Sequence, residues 1–156
     1  MHDHVDIFKA IPLFSNLIHI ELWFNALFHG WDCVVELLCH CRKLQIVFIR
    51  KWSSSLAKEW KCPSSVLECV SSHLISCTIL NFEGSANDLR FATYILQNGR
   101  ILQNMTIDVT TSSSNGKLLE KSQIIEELSS CPTISPGCSK LSFEYNYLLQ
   151  LSLFFL

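Results

Sequence analysis

The sequence predicts an α/β fold: a solenoid of strands and helices in turn, with a parallel sheet and the helices on one of its faces. Three observations predict it. A short apolar pattern recurs as Leu17-x-x-Ile20-x-Leu22, Leu44-x-x-Val47-x-Ile49, Leu74-x-x-Cys77-x-Ile79 and Leu102-x-x-Met105-x-Ile107, with a degenerate copy at Cys138-x-x-Leu141-x-Phe143. The leading leucines stand 27, 30 and 28 residues apart, a near-constant step that marks stacked repeats. Between these heads the apolar period changes from that of a strand to that of a helix, as one strand-helix unit per repeat requires. The 156 residues are 49% hydrophobic and 17% charged, enough to bury one substantial core and the reverse of a disordered composition.

Each element has its own local reason. Step and head pattern are those of leucine-rich repeats, and the first copy carries Asn25 at the ladder position where the others have Trp52, Phe82 and Thr110. Alternation predicts strands near 17–23, 44–50, 74–80, 102–108 and 140–144. The first helix, 31–40, aligns Trp31, Val34, Val35, Leu38 and Cys41 on one stripe. A second, 87–98, opens on Ser85-Ala-Asn-Asp88, which resembles a capping box, and buries Leu89, Ala92, Ile95 and Leu96. Gly99 stands where a left-handed C-cap is expected. The third, 118–130, carries Leu118, Ile124, Ile125 and Leu128 and stops before Cys131-Pro132. Thr110 to Lys117 reads as a polar loop, and Lys51 to Cys69, with its serines and Pro63, as a long connection at a subdomain boundary.

Alternation also sorts the two sheet faces. Ile20, Leu22, Val47, Ile49, Cys77, Ile79, Met105 and Ile107 fall on the helix-covered side. His19, Glu21 and Trp23, then Ile46, Phe48 and Arg50, then Ser76, Thr78 and Leu80, then Asn104, Thr106 and Asp108 fall on the open side. Apolar groups beside charge on an open face mark an interaction surface. Glu21, Trp23, Ile46, Phe48, Arg50 and Leu80 are therefore the expected protein-binding residues, with Glu21 and Arg50 at the charged edge of the patch.

Other functions find little support. The formal net charge of −2 offers no whole-chain attraction to nucleic acid or anionic membranes. Arg42, Lys43, Arg50, Lys51, Lys58 and Lys61, with Trp52 and Trp60 among them, suit single-strand binding in composition, but the same scatter describes a solvated edge. Nucleic acid is the disfavoured reading. Eight cysteines suggest disulfides or zinc, yet no basic and apolar leader precedes them, and Cys33, Cys39 and Cys41 lack the second paired motif of a structural zinc site. Phosphate-binding, metalloprotease and nucleophile-elbow motifs do not occur, so neither catalytic residues nor cofactors are expected. The apolar run Tyr147 to Leu156 is about half the length of a spanning helix. The expected location is cytoplasm or nucleus.

A series of short motifs carries a family resemblance: Trp60-Lys-Cys-Pro63, Glu68-Cys69-Val70-Ser71-Ser72-His73-Leu74, Phe82-Glu-Gly84, Tyr94-Ile95-Leu96-Gln97-Asn98 and Met105-Thr106-Ile107. From about Trp60 to Phe143 the chain resembles the plant FBD domain, the C-terminal part of F-box proteins that carry leucine-rich repeats. It departs at Leu67, where the family often has proline, and at Gly99, where it often has alanine. The resemblance implies a repeat-like segment at 1–59 and an FBD domain at 60–144; the hydrophobic tail at 145–156 lies beyond the family pattern. It also implies a non-catalytic interaction module, the substrate-recognition end of a ubiquitin-ligase adaptor, whose partner is a protein or a ubiquitylation substrate. The chain opens on repeat-like sequence without room for an F-box, so direct binding to a Skp-type adaptor is not expected. A truncated fragment or decaying duplicate that competes with full-length relatives is the alternative.

Overall fold

A computed structural model describes residues 12–25, 30–52, 59–109, 121–132 and 140–144. Its strands are β1 (His19–Asn25), β2 (Ile46–Trp52), β3 (Ser76–Phe82), β4 (Asn104–Val109) and β5 (Lys140–Glu144). The helices are α1 (Trp31–Cys39), α2 (Glu68–Ser72), α3 (Ala86–Asn98) and α4 (Lys121–Ser130). The strands lie side by side in chain order, and every neighbouring pair is parallel. The registers join equivalent repeat positions: Ile20 with Val47, Val47 with Cys77, Cys77 with Met105, Met105 with Leu141. The expected α/β solenoid with a parallel sheet is the observed architecture.

The first four strands begin two residues later than the repeat heads suggest, whereas β5 falls on the expected 140–144. Leu44, Leu74 and Leu102 are buried, yet they precede their strands and seat the turn that leads in. Beneath the sheet, Val47, Ile49, Cys77, Ile79, Met105 and Ile107 share one core with Val34, Leu38, Phe91, Ile95, Ile124 and Leu128 of the helices. Ile20 and Leu22 pack against that core but are only partly buried, since among the described residues β1 has a strand neighbour on one side. The α1 stripe faces inward as expected: Trp31, Val34, Val35 and Leu38 are buried, and so is Cys41 just beyond.

Two local expectations need correction. Part of the stretch expected as a connection, Lys51 to Cys69, leads into a short helix, α2, which buries Cys69 and Val70; the Cys69 thiol donates to the Leu38 carbonyl oxygen at 3.6 Å. Gly99 has φ −78°, so it is not a left-handed cap. A Cβ there would meet the Ile95 carbonyl oxygen and Leu102 Cβ at 3.0 Å each, so close packing is what favours glycine. Left-handed backbone occurs instead at Asn81 (φ 58°) and Gly84 (φ 76°). Asn81 marks a bulge that interrupts the β3–β4 register between Ile79 and Phe82, and its side-chain amide donates to the Lys51 carbonyl oxygen at 3.0 Å. The extra residue turns Phe82 fully into the core.

The capping box is half realised. Ser85 Oγ accepts from the Asp88 N–H at 3.1 Å, but the Asp88 carboxylate is not given to the Ser85 backbone, as a reciprocal box would have it. It turns into the core instead. The opening residues of the expected third helix, 118–120, lie outside the described residues, as do the loop 110–117 and the tail 145–156.

Candidate functional site

Two groups of side chains stand out, one on each sheet face. The inner group surrounds Asp88, which is 1% exposed. Its Oδ2 lies 2.6 Å from Lys51 Nζ and accepts the Glu83 N–H at 3.1 Å, while Oδ1 accepts the Trp31 indole N–H at 3.0 Å. Glu83 approaches Lys51 Nζ to 3.9 Å. Burial pushes the Glu83 carboxyl up from its ordinary value; Lys51 opposes that and Asp88 reinforces it. Lys51 follows Val47 and Ile49 on the inner side of β2, so its ammonium enters the core and needs an anion there. The first turn of α3 supplies one. This set joins β2, α1, α3 and the β3–α3 turn, and its burial makes it a brace that solvent and substrates do not reach.

The family-like motif residues pack around the same brace. Phe91 stacks on Trp31 with ring centroids 4.1 Å apart and meets Trp60 at 5.9 Å, and Trp60 stands edge-on to Tyr94 at 6.4 Å. The Trp60 N–H donates to Asn87 Oδ1 at 2.9 Å, and Arg90 donates to the Trp60 carbonyl oxygen and to Glu59. Leu67 has φ −62°, a value proline would also adopt, but its N–H donates to the Tyr94 hydroxyl at 3.1 Å. A proline at 67 lacks that donor. Burial raises the Tyr94 hydroxyl above its ordinary pKa and lifts the Cys69 and Cys77 thiols to about 12. These thiols behave as small apolar groups, not nucleophiles.

The outer group is the expected binding face. The register sets Trp23, Arg50 and Leu80 in one row across β1, β2 and β3, with Glu21, Phe48 and Thr78 in the row before it and His19, Ile46 and Ser76 before that. Trp23 is 47% exposed and Ile46 40%, and Glu21 is exposed too; Phe48 and Leu80 are half-buried. The Arg50 guanidinium lies over the Trp23 ring, 5.0 Å from its centroid. Arg50 corrects an expectation. It is not at a solvated charged edge but only 6% exposed, since it sits on an interior strand with Trp23 and Leu80 on either side. Its Nε is buried without a hydrogen-bond partner. Further along the same face Thr106 and Ser142 hydroxyls meet at 3.1 Å, so the patch gives way to polar groups at β4 and β5.

The basic residues do not gather. Arg50 and Lys51 are buried on opposite faces, Arg42 and Lys43 are exposed in the turn before β2, Lys61 is exposed elsewhere, and Lys58 lies outside the described residues. Cys33 is half-buried, Cys39 exposed and Cys41 buried, and among the described residues no group of three His, Cys, Asp or Glu side chains is arranged to hold a metal. No helix among the described residues is long and apolar enough to cross a membrane.

Sequence reasoning misses the brace. Composition groups Lys51 with its basic neighbours, and position assigns Asp88 to helix capping. The available signal is strand parity, which puts Lys51 on the same side as Val47 and Ile49.

Comparison with known proteins agrees with this geometry. The family model described as FBD matches residues 61–107, which run through α2, β3 and α3 into β4. The chain is 31% identical over 140 residues to F-box/FBD/LRR-repeat protein At4g26340 of Arabidopsis thaliana, a match covering 85% of this chain and 32% of that protein. It is 30% identical to At5g56420, over 86% of this chain and 32% of the relative, and 27% identical to At3g52680, over 87% and 32%. Both carry the same family name and come from the same plant. The chain thus spans about a third of the length of these relatives. No solved structure matches it. With repeat strands in register and Trp60 and Tyr94 of the FBD motifs packed in the aromatic cluster beneath them, the chain carries an FBD domain and is similar, over about a third of their length, to the plant F-box/FBD/LRR-repeat proteins.

Proposed function

We propose that this chain is a non-catalytic protein-interaction module whose open sheet face, through Glu21, Trp23, Ile46, Phe48, Arg50 and Leu80, binds a protein partner. The role corresponds to the substrate-recognition end of an F-box/FBD-type ubiquitin-ligase adaptor. The observation that carries it is Trp23: a tryptophan 47% exposed on the same face as the exposed Ile46, with an arginine guanidinium over its ring. Solvent alone does not favour such a group on an open face, and tryptophan with arginine is the composition of binding hot spots. The large apolar motif residues, among them Trp60, Leu74, Phe82, Tyr94 and Ile107, pack beneath the sheet, which leaves the outer face to the partner.

Affinity capture from plant extract tests the reading. The double substitution Trp23→Ala/Phe48→Ala should lose the captured partner while changing stability by under about 1 kcal/mol, as exposed and half-buried surface sites do. Thr106→Ala, on the polar part of the same face, should retain the partner. Unfolding of the double variant, or undiminished capture, contradicts the assignment.

A further inference from the structure

Adjacent residues of β2 put two buried cations on opposite faces of the sheet, and the fold treats them differently. Lys51, beneath the sheet, meets Asp88 at 2.6 Å and Glu83 at 3.9 Å. Arg50, on the open face, is 6% exposed, and no ion pair among the described residues includes it. Its contact is the Trp23 ring, with the guanidinium carbon 5.0 Å from the centroid, and its Nε is buried without a hydrogen-bond partner. An aromatic face offsets the charge of a guanidinium but gives its in-plane N–H groups no acceptor. Glu21, one row earlier on the same face, is exposed and turned to His19 at 3.6 Å. β2 is paired with β1 on one side and β3 on the other, so Arg50 is interior to the sheet whatever lies beyond β1. A buried donor left unpaired costs free energy, which an acceptor from a ligand restores.

We infer that Arg50 anchors one carboxylate of the protein partner, the side chain of an aspartate or glutamate that enters the open face and accepts the guanidinium N–H groups. The inference rests on the open face as the binding surface and names what that surface reads. Three features select a carboxylate. Its two oxygens match the guanidinium fork, in which Nε and a terminal nitrogen donate in parallel. It brings a single negative charge to a face where, among the described outward positions of β1 to β4, Arg50 is the one arginine or lysine and Glu21 and Asp108 are acidic. A phosphate, with nearly two charges, would meet those acids without a cluster of basic groups to offset them. Finally, Phe48 and Leu80 are half-buried beside Arg50 and keep water from the pair, which strengthens a charged hydrogen bond. Trp23 is the cover: it lies against the guanidinium in the free chain and turns aside as the carboxylate reaches Nε. A partner segment with an acidic residue between apolar ones fits the patch, with the acid on Arg50 and the apolar groups on Trp23, Ile46 and Phe48.

Random dodecapeptides displayed on phage and selected on the intact chain are the probe. The selected pool should be enriched in aspartate and glutamate over the starting library. A synthetic peptide from that pool should bind about tenfold more weakly when its acid is replaced by the matching amide, or when the chain carries Arg50→Met, as loss of a charged hydrogen bond implies. Arg50→Lys, which keeps the charge without the fork, should fall in between. Arg50→Met should leave the denaturation midpoint unchanged or higher, since it removes an unpaired buried donor. A lowered midpoint, or an unfolded variant, would make Arg50 a structural residue and overturn the inference. Phosphoserine in place of the acid should weaken binding, and equal or tighter binding overturns the carboxylate in favour of a phosphopeptide. Peptides that need Trp23 and Phe48 but show no acidic enrichment, or that bind Arg50→Met undiminished, overturn the anchor and leave the binding face standing. Peptides indifferent to Trp23, Phe48 and Arg50 alike, or a selection that yields none, overturn both.

Discussion

Asp88→Ala should destabilise the fold by about 3–5 kcal/mol, the usual cost of removing one partner from a buried ion pair, and lower the melting temperature by roughly 10 °C. The size follows from what remains behind. Lys51 Nζ is left in the core with only Glu83 at 3.9 Å, and the Trp31 indole N–H and the Glu83 N–H lose their acceptor. Lys51 has little room to move out, because its side chain is 3% exposed between strand and helix. Asp88→Asn combined with Lys51→Met should cost clearly less. It removes the stranded ammonium and keeps an amide oxygen for one of the two remaining donors. Chemical denaturation of the single and double variants checks both. A loss under about 1 kcal/mol for Asp88→Ala would mean that water or another anion already serves Lys51.

Phe91→Ala is the second large effect, also about 3–5 kcal/mol. Phe91 is fully buried and links two tryptophans that come from opposite sides of the repeat boundary, Trp31 in α1 and Trp60 before α2. Truncation opens a cavity between them and removes two ring contacts at once, each worth about 0.5–1.5 kcal/mol beyond area. The denaturation midpoint should fall without change in slope if the fold remains cooperative. A change in slope, with the α1 repeat melting before the rest, would show that the aromatic cluster joins two separately stable units. Phe91→Leu should recover a large part of the loss, since it keeps apolar volume without the stacking.

Much of this fold was legible because repeats state their period in the sequence. Ile20, Val47, Cys77 and Met105 align in the sheet as the head pattern requires, and the α1 stripe needs only helical periodicity. What escaped depends on contacts between distant segments. The head leucines look like strand residues, but the turn they seat is set by the carbonyl bonds of Gln45 and Ile75, which place the next strand two residues on. Gly99 resembles a cap, yet its reason is the nearness of Leu102. Asp88 resembles half of a capping box until Lys51, 37 positions earlier, is found beside it. Which residues share the open face was legible through parity. Arg50 was not, because parity tells which face a side chain occupies and not how deeply its neighbours on adjacent strands cover it.

The central claim is that tryptophans of this chain have opposite fates: Trp31 and Trp60 are packing residues beneath the sheet, and Trp23 is presented to solvent above it, where we propose a partner binds. Oxidative footprinting read by mass spectrometry tests this most directly. Trp31 and Trp60, 3% and 7% exposed, should be modified only on unfolding, whereas Trp23, 47% exposed, should react in the native state. Native-state modification of Trp60 at the rate of Trp23, or full protection of Trp23, would contradict the account.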